Sequence, residues 1–186
     1  LDWVGVGGLV ALTLVLGMAL FNLRVDEGFI AYRYARNVVA GGGFVYNPGD
    51  TSLHTDAPLY VLLLALVSPL TSDYPLLGNA LGVASIGAGA VCMYALARRL
   101  GYGAGLVGGL GYLLNPMLWL ALGSGVNLGL ALGMAAMVLH VRGRGLIAAG
   151  VLGAATLAWP SVAGLAGVLA GVEIIAGRRA PLLSGL

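Results

Sequence analysis

The sequence predicts an all-α protein, a polytopic transmembrane helix bundle of about six spans with an external loop carrying interfacial helices. Three observations predict it. Of the 186 residues, 60% are hydrophobic and only 9% charged, with a mean hydropathy of +0.98. A soluble domain carries charge on about a quarter of its residues, so a surface this poor in charge belongs in lipid. The apolar residues fall into runs between short polar breaks, the pattern of helices that satisfy their own backbone groups in a bilayer and not the alternation of a membrane barrel. The charges, nine arginines, no lysine and seven acidic residues, are almost absent from the runs. Their sum of +2 is too small to imply nucleic-acid binding.

The whole of 1–186 reads as a single membrane domain. The first run, 3–23, holds 21 uncharged residues, about 31 Å as a helix. It lacks the basic start and small-residue cleavage site of a signal peptide. Further spans are expected at 75–97, 104–122, 126–141, 146–159 and 162–176. Trp159-Pro160-Ser161 reads as a tight turn at a membrane face, with a single broken helix as the alternative. Residues 24–74 form the long loop. Within it, 57–70 is apolar, but its 14 residues reach only about 21 Å between Pro58 and Pro69, so it reads as interfacial or re-entrant.

Six spans with the N-terminus inside put Arg98, Arg99, Arg142, Arg144, Arg178 and Arg179 on the cytoplasmic side. The loop is then external, with Asp26, Glu27, Asp50, Asp56 and Asp73. Seven spans, with 57–70 crossing, would gather all nine arginines inside; span length favours six. Gly101, Gly105 and Gly109, and then Gly125, Gly129 and Gly133, repeat every four residues and read as close-packing stripes. Cys92 is the single cysteine and reads as a packing residue. The chain opens on Leu1 and stops in an apolar stretch after Pro181, which reads as a segment of something longer.

The spans hold little chemistry. His140 and Glu173 lie near cytoplasmic ends, and Asn115 before Pro116 reads as relieving a proline kink. Polar residues concentrate in the loop. At 100° per residue Asp26, Arg33 and Asn37 fall within about 20° of one line, with Arg36 flanking and Ala31, Ala35, Val38 and Val39 opposite. This predicts an amphipathic helix against the membrane, capped by Gly41-Gly42-Gly43. Tyr32, Tyr34, Tyr46 and Tyr60 fit an interfacial aromatic belt more readily than the alternative, a sugar-stacking platform.

The order of these features carries a resemblance. The run from Asp26-Glu27 through Arg33 and Arg36-Asn37, then Asn47-Pro48-Gly49, then Pro58-Leu59-Tyr60, is similar to the first external loop of GT-C superfamily glycosyltransferases. It most resembles the bacterial arabinosyl-, mannosyl- and protein O-mannosyltransferase-like membrane enzymes, over about forty residues. The resemblance implies inverting transfer of a sugar from a polyprenyl-phosphate donor to a glycan or protein acceptor, at the external face of the bacterial inner membrane. It implies Asp26 as general base, with Glu27 as its neighbour. Arg33 and Arg36 would hold the donor phosphate and Asn37 a sugar hydroxyl, with His54 and Asp56 completing the binding set.

His54, Asp56 and the Asp26-Glu27 pair also offer ligands to a divalent metal ion, but without a fixed spacing, so no metal is assigned. Unlike the superfamily, Trp159-Pro160-Ser161 is uncharged and Ser124-Gly125-Val126-Asn127 lacks an acidic residue. A rival class is a non-catalytic lipid-linked glycan binding or transport subunit, in which the same loop only holds a phosphate headgroup.

Overall fold

The computed structural model describes residues 2–24, 26–47, 49 and 53–175. Pro48, Asp50, Arg178, Arg179, Pro181 and the end of the last expected span lie outside the described residues, as does the side chain of Glu173. The described chain is all-α, with no strand among those residues.

Helix α1 (Trp3–Leu20) starts where the Asp2 carboxylate accepts from the Gly5 amide at 2.6 Å. The loop helix α2 (Asp26–Val39) ends as its glycines dictate. Gly41 takes φ +75°, Gly42 N donates to Asn37 O at 2.8 Å and Gly41 N to Val38 O at 3.2 Å, a Schellman closure. Helix α3 (Pro58–Val67) begins on proline and runs into a 3-10 turn over Ser68–Leu70. Asp73 then caps α4 (Tyr74–Ala97), which a 3-10 turn extends to Leu100.

Two helices are long and apolar enough to cross a membrane, Trp3–Leu20 and Tyr74–Leu100. They form an antiparallel hairpin in strict register. At one end Asp2 pairs with Arg98 and accepts from the Tyr94 hydroxyl, which in turn accepts from Arg98 at 2.5 Å. Midway, a Cβ on Gly87 would lie 3.0 Å from Thr13, and one on Gly17 would lie 2.7 Å from Val83. At the other end the Asn79 amide donates to the carbonyls of Phe21 and Leu23. The described residues between Phe21 and Asp73, with α2 and α3, therefore lie at one end of the hairpin, the loop end. Arg98 and Arg99 lie at the other.

The later helices alternate between these ends. Helix α5 (Tyr102–Leu113) climbs beside α4, Gly105 against Tyr94 and Gly109 against Ala90. The expected run 104–122 is not one helix. Pro116 has no amide hydrogen and holds Asn115 extended (ψ 114°), so α5 stops and a short α6 (Pro116–Leu120) restarts, capped by Asn115. The break is satisfied by side chains: Trp119 Nε1 donates to Leu113 O at 2.7 Å and Asn127 to Leu118 O at 2.9 Å. Gly123 (φ +81°) turns the chain beside Asn79. Helix α7 (Gly125–Val141) then descends until Arg99 donates to Val141 O at 3.2 Å, and α8 (Gly145–Ala158) returns. A 3-10 turn over Pro160–Val162 leads into α9 (Ala163–Ile175). Its start folds back, with Val162 and Leu165 against Gly133 of α7, so the turn is real and α8 and α9 are not one broken helix.

Several expectations change. The runs after 97 yield apolar helices of at most 17 residues, because the Asn115-Pro116 break and the glycines at 101, 123 and 143 cut them short. Among the described residues, only α1 and α4 reach spanning length. Gly105, Gly109, Gly125, Gly129 and Gly133 do pack against neighbours, whereas Gly101 meets nothing within 4 Å and serves its φ of +132°. Tyr32, Tyr34 and Tyr60 are not an interfacial belt. They are buried in the α2–α3–α4 core, a place their mostly apolar rings suit once each hydroxyl has a polar neighbour. Val39, on the apolar face of α2, is exposed in the last turn of the helix.

Candidate functional site

Helix α2 is held by the face that carries its aromatic residues. Gly28, Ala31, Tyr32, Tyr34 and Ala35 are buried, while Asp26, Glu27, Arg33 and Arg36 are exposed. The Tyr32 hydroxyl donates to the Gly123 carbonyl at 3.1 Å, tying α2 to the turn before α7. Two glycines make room for that ring: a Cβ on Gly28 or on Gly78 would strike the Tyr32 phenol. Burial pushes the Tyr32 phenol up to about 12, against smaller opposing effects from the Tyr60 hydroxyl and Arg24, so it remains a neutral donor at physiological pH.

Tyr34, fully buried, positions the second piece. Its hydroxyl accepts from the His54 amide at 2.8 Å and so pins 53–57 over α2. Its ring packs on Phe44 (5.1 Å) and Tyr46 (6.0 Å). The 44–47 segment is fixed from α2 as well. Arg33 donates to Tyr46 O (3.0 Å) and Asn47 Oδ1 (2.6 Å) and stacks over the Tyr46 ring, while Asn37 donates to Val45 O and Tyr46 O.

These contacts open a cleft of about 590 Å³ at the loop end of the bundle. Glu27 and Ile30 form one wall, 53–57 with His54 and Asp56 a second, and Ser124–Val126 with Trp159 the third. The third wall is brought close by glycine. A Cβ on Gly125 would strike the Ala158 carbonyl and lie 2.8 Å from Ala57, and one on Gly129 would lie 2.6 Å from Trp159. The start of α7 therefore lines the cleft and brings the positive end of its peptide dipoles into the same opening as Glu27 and Asp56. A carboxylate, an imidazole, a second carboxylate, an indole and a helix N-terminus in one opening can accept a proton, hold an anion and stack on a sugar ring.

The sequence-expected site residues divide into two groups. Glu27, His54 and Asp56 share the cleft. Asp26, one residue earlier, is exposed and lines none of the described cavities. Arg33, Arg36 and Asn37 line a separate recess with Phe29, Tyr32 and Tyr46. Among the described residues no three His, Cys, Asp or Glu side chains converge as metal ligands would. Ser124, Gly125 and Trp159 complete the cleft from outside the loop. The sequence signalled them only as an uncharged stretch and a turn aromatic.

Compared with known proteins, the chain matches no family model, no curated protein and no solved structure.

Proposed function

We propose that the chain is a membrane glycosyltransferase of the GT-C type, moving a sugar from a polyprenyl-phosphate donor to an acceptor at the external face of the bacterial inner membrane. The cleft that gathers Glu27, His54, Asp56, Trp159 and the start of α7 is the observation that carries this reading. Of the acidic pair, Glu27 is on the cleft wall, so the base role falls to Glu27 and Asp26 becomes the neighbour. Glu27 takes the proton of the acceptor hydroxyl as its oxygen bonds to the anomeric carbon. The bond from that carbon to the donor phosphate breaks on the opposite face, which inverts the centre, and the polyprenyl phosphate leaves with the electron pair. The amides at the start of α7 face the charge growing on the leaving phosphate, and Trp159 offers its ring to the sugar. Arg33 and Asn37 act by holding the 44–47 segment in place.

Membrane embedding is supported by what α1 leaves uncovered. Trp3, Val4 and Met18 are 85%, 81% and 72% exposed, an apolar surface that lipid covers favourably. The antiparallel hairpin argues against a crossing by 57–70, since a crossing between α1 and α4 would make those two helices parallel. With α1 and α4 crossing, Arg98, Arg99, Arg142 and Arg144 take the cytoplasmic end and the cleft faces outward.

The test is transfer of a labelled sugar from a polyprenyl-phosphate donor by membranes containing the chain. Glu27→Gln should lower turnover by about 100-fold or more, the usual loss of a general base, and leave donor binding within about threefold. Full turnover in that variant would remove Glu27 from the role. A chain that binds donor but never turns over would be the carrier subunit instead.

A further inference from the structure

A further recess, of about 560 Å³, lies at the far end of α2, with Arg36, Val39 and Ala40 from that helix and Ser68, Ser72 and Tyr74 from the segment that leads into α4. Arg36 is exposed, and its guanidinium lies 5.6 Å above the Tyr74 ring. A guanidinium held by a ring face keeps its in-plane N–H groups for an anion. Ser72 presents a hydroxyl across the opening, while Ser68 rests its own on Ala65 O at 2.8 Å and shapes the floor. The acid nearest in sequence, Asp73, is turned into the start of α4, where it accepts from the Leu76 amide at 3.0 Å. Arg36 is the charged residue among those that line the recess.

The neighbouring helix α3 carries an exposed apolar stripe. Leu62, Leu66 and Leu70 follow one another at four-residue spacing along α3 and its 3-10 turn, and all three are exposed, as is Val39. A cation and a hydroxyl in one recess, beside a helix with an exposed apolar stripe, suit an amphiphile with an anionic head. That amphiphile is not the sugar donor of the cleft. Arg36 is nine residues beyond Glu27, about 14 Å along the helix axis, too far to share one breaking bond.

We propose that this recess binds the phosphate of an anionic phospholipid, whose acyl chains lie along the Leu62, Leu66 and Leu70 stripe, and that the lipid seats the α2–α3 pair on the bilayer. The proposal rests on the membrane reading above. Full chain in detergent micelles is offered phosphatidylglycerol and phosphatidylcholine of equal chain length, and the bound lipid is read by native mass spectrometry. Wild type should retain phosphatidylglycerol preferentially. Arg36→Gln should weaken that retention about tenfold or more, Ser72→Ala about threefold, and Arg24→Gln, at another exposed arginine of the loop end, less than twofold.

Unchanged retention in Arg36→Gln, or an equal loss in Arg24→Gln, would overturn the site. Displacement by glycerol 3-phosphate alone would make it a soluble phosphate site, and displacement by polyprenyl phosphate at equal concentration would make it a donor-lipid site; either overturns the phospholipid. Alkaline carbonate extraction separates this from the membrane reading. Release of the chain overturns both, whereas a chain that stays in the membrane and binds both lipids alike overturns this proposal alone.

Discussion

The side-chain amide of Asn79 donates to the main-chain carbonyl of Phe21 at 2.5 Å, across 58 residues of sequence. A second bond, to Leu23 O at 3.0 Å, uses the same nitrogen. The last carbonyls of a helix have no partner within it, and those of α1 meet Asn79 near the start of α4. One buried side chain thus closes the loop end of the hairpin and fixes where α2 begins.

Removing that amide should loosen the hairpin. Asn79→Ala leaves two carbonyls short of a donor and should cost about 1–3 kcal/mol, read as a lowered unfolding midpoint in micelles. A midpoint equal to wild type would contradict the role given to Asn79.

The middle of the hairpin depends on the absence of a side chain. Gly17→Val should destabilise by about 1–3 kcal/mol through overpacking on Val83, and Val83→Ala in the same chain should recover a good part of it. Gly7, which faces open space, should accept alanine with little effect. Equal losses at Gly17 and Gly7 would argue against the helix pairing.

Tyr34 carries a prediction about the cleft wall. Tyr34→Phe keeps the packing on Phe44 and Tyr46 but removes the acceptor of the His54 amide, so hydrogen exchange at His54 should speed up by about tenfold. Exchange at Ala31 and Ala35, inside α2, should hardly change.

The Tyr32 phenol gives an alkaline signature. Its folded value of about 12 lies above the ordinary 10 because burial disfavours the phenolate. Above pH 10 the unfolded chain loses this proton while the folded chain keeps it, so stability falls as pH rises from about 10 to 12 and is unaffected below that window. Tyr32→Phe should flatten this fall while lowering stability at neutral pH through the lost bond to Gly123. An unchanged alkaline slope would exclude Tyr32 as its source.

Hydropathy was enough to locate α1 and α4, since neither contains a proline after its first turn, and Gly41 was enough to end α2. The break before Pro116 was harder to read, because a proline in an apolar run marks a kink and a full stop with the same letter; Asn115 as a ready cap decides it. The tyrosines of α2 and α3 suit an interface or a core equally by chemistry, and only the glycines facing them, Gly28 and Gly78, make the core available. At the site, Glu27, His54 and Asp56 were legible as polar residues in one loop. That Glu27 and not Asp26 reaches the cleft was not, because adjacent positions on a helix differ by 100° and the opposite wall comes from α7 and α8, about a hundred residues later.

The account turns on which side of the membrane the cleft faces. In a Cys92→Ala background, single cysteines at Asp56, in the cleft, and at Arg99, at the opposite end of α4, are offered a membrane-impermeant thiol reagent in intact cells. Labelling at 56 in intact cells, with 99 labelled only after lysis, is the predicted result. Labelling at 99 in intact cells with 56 protected, or equal labelling of both, would contradict an outward-facing cleft and the glycosyltransferase built on it.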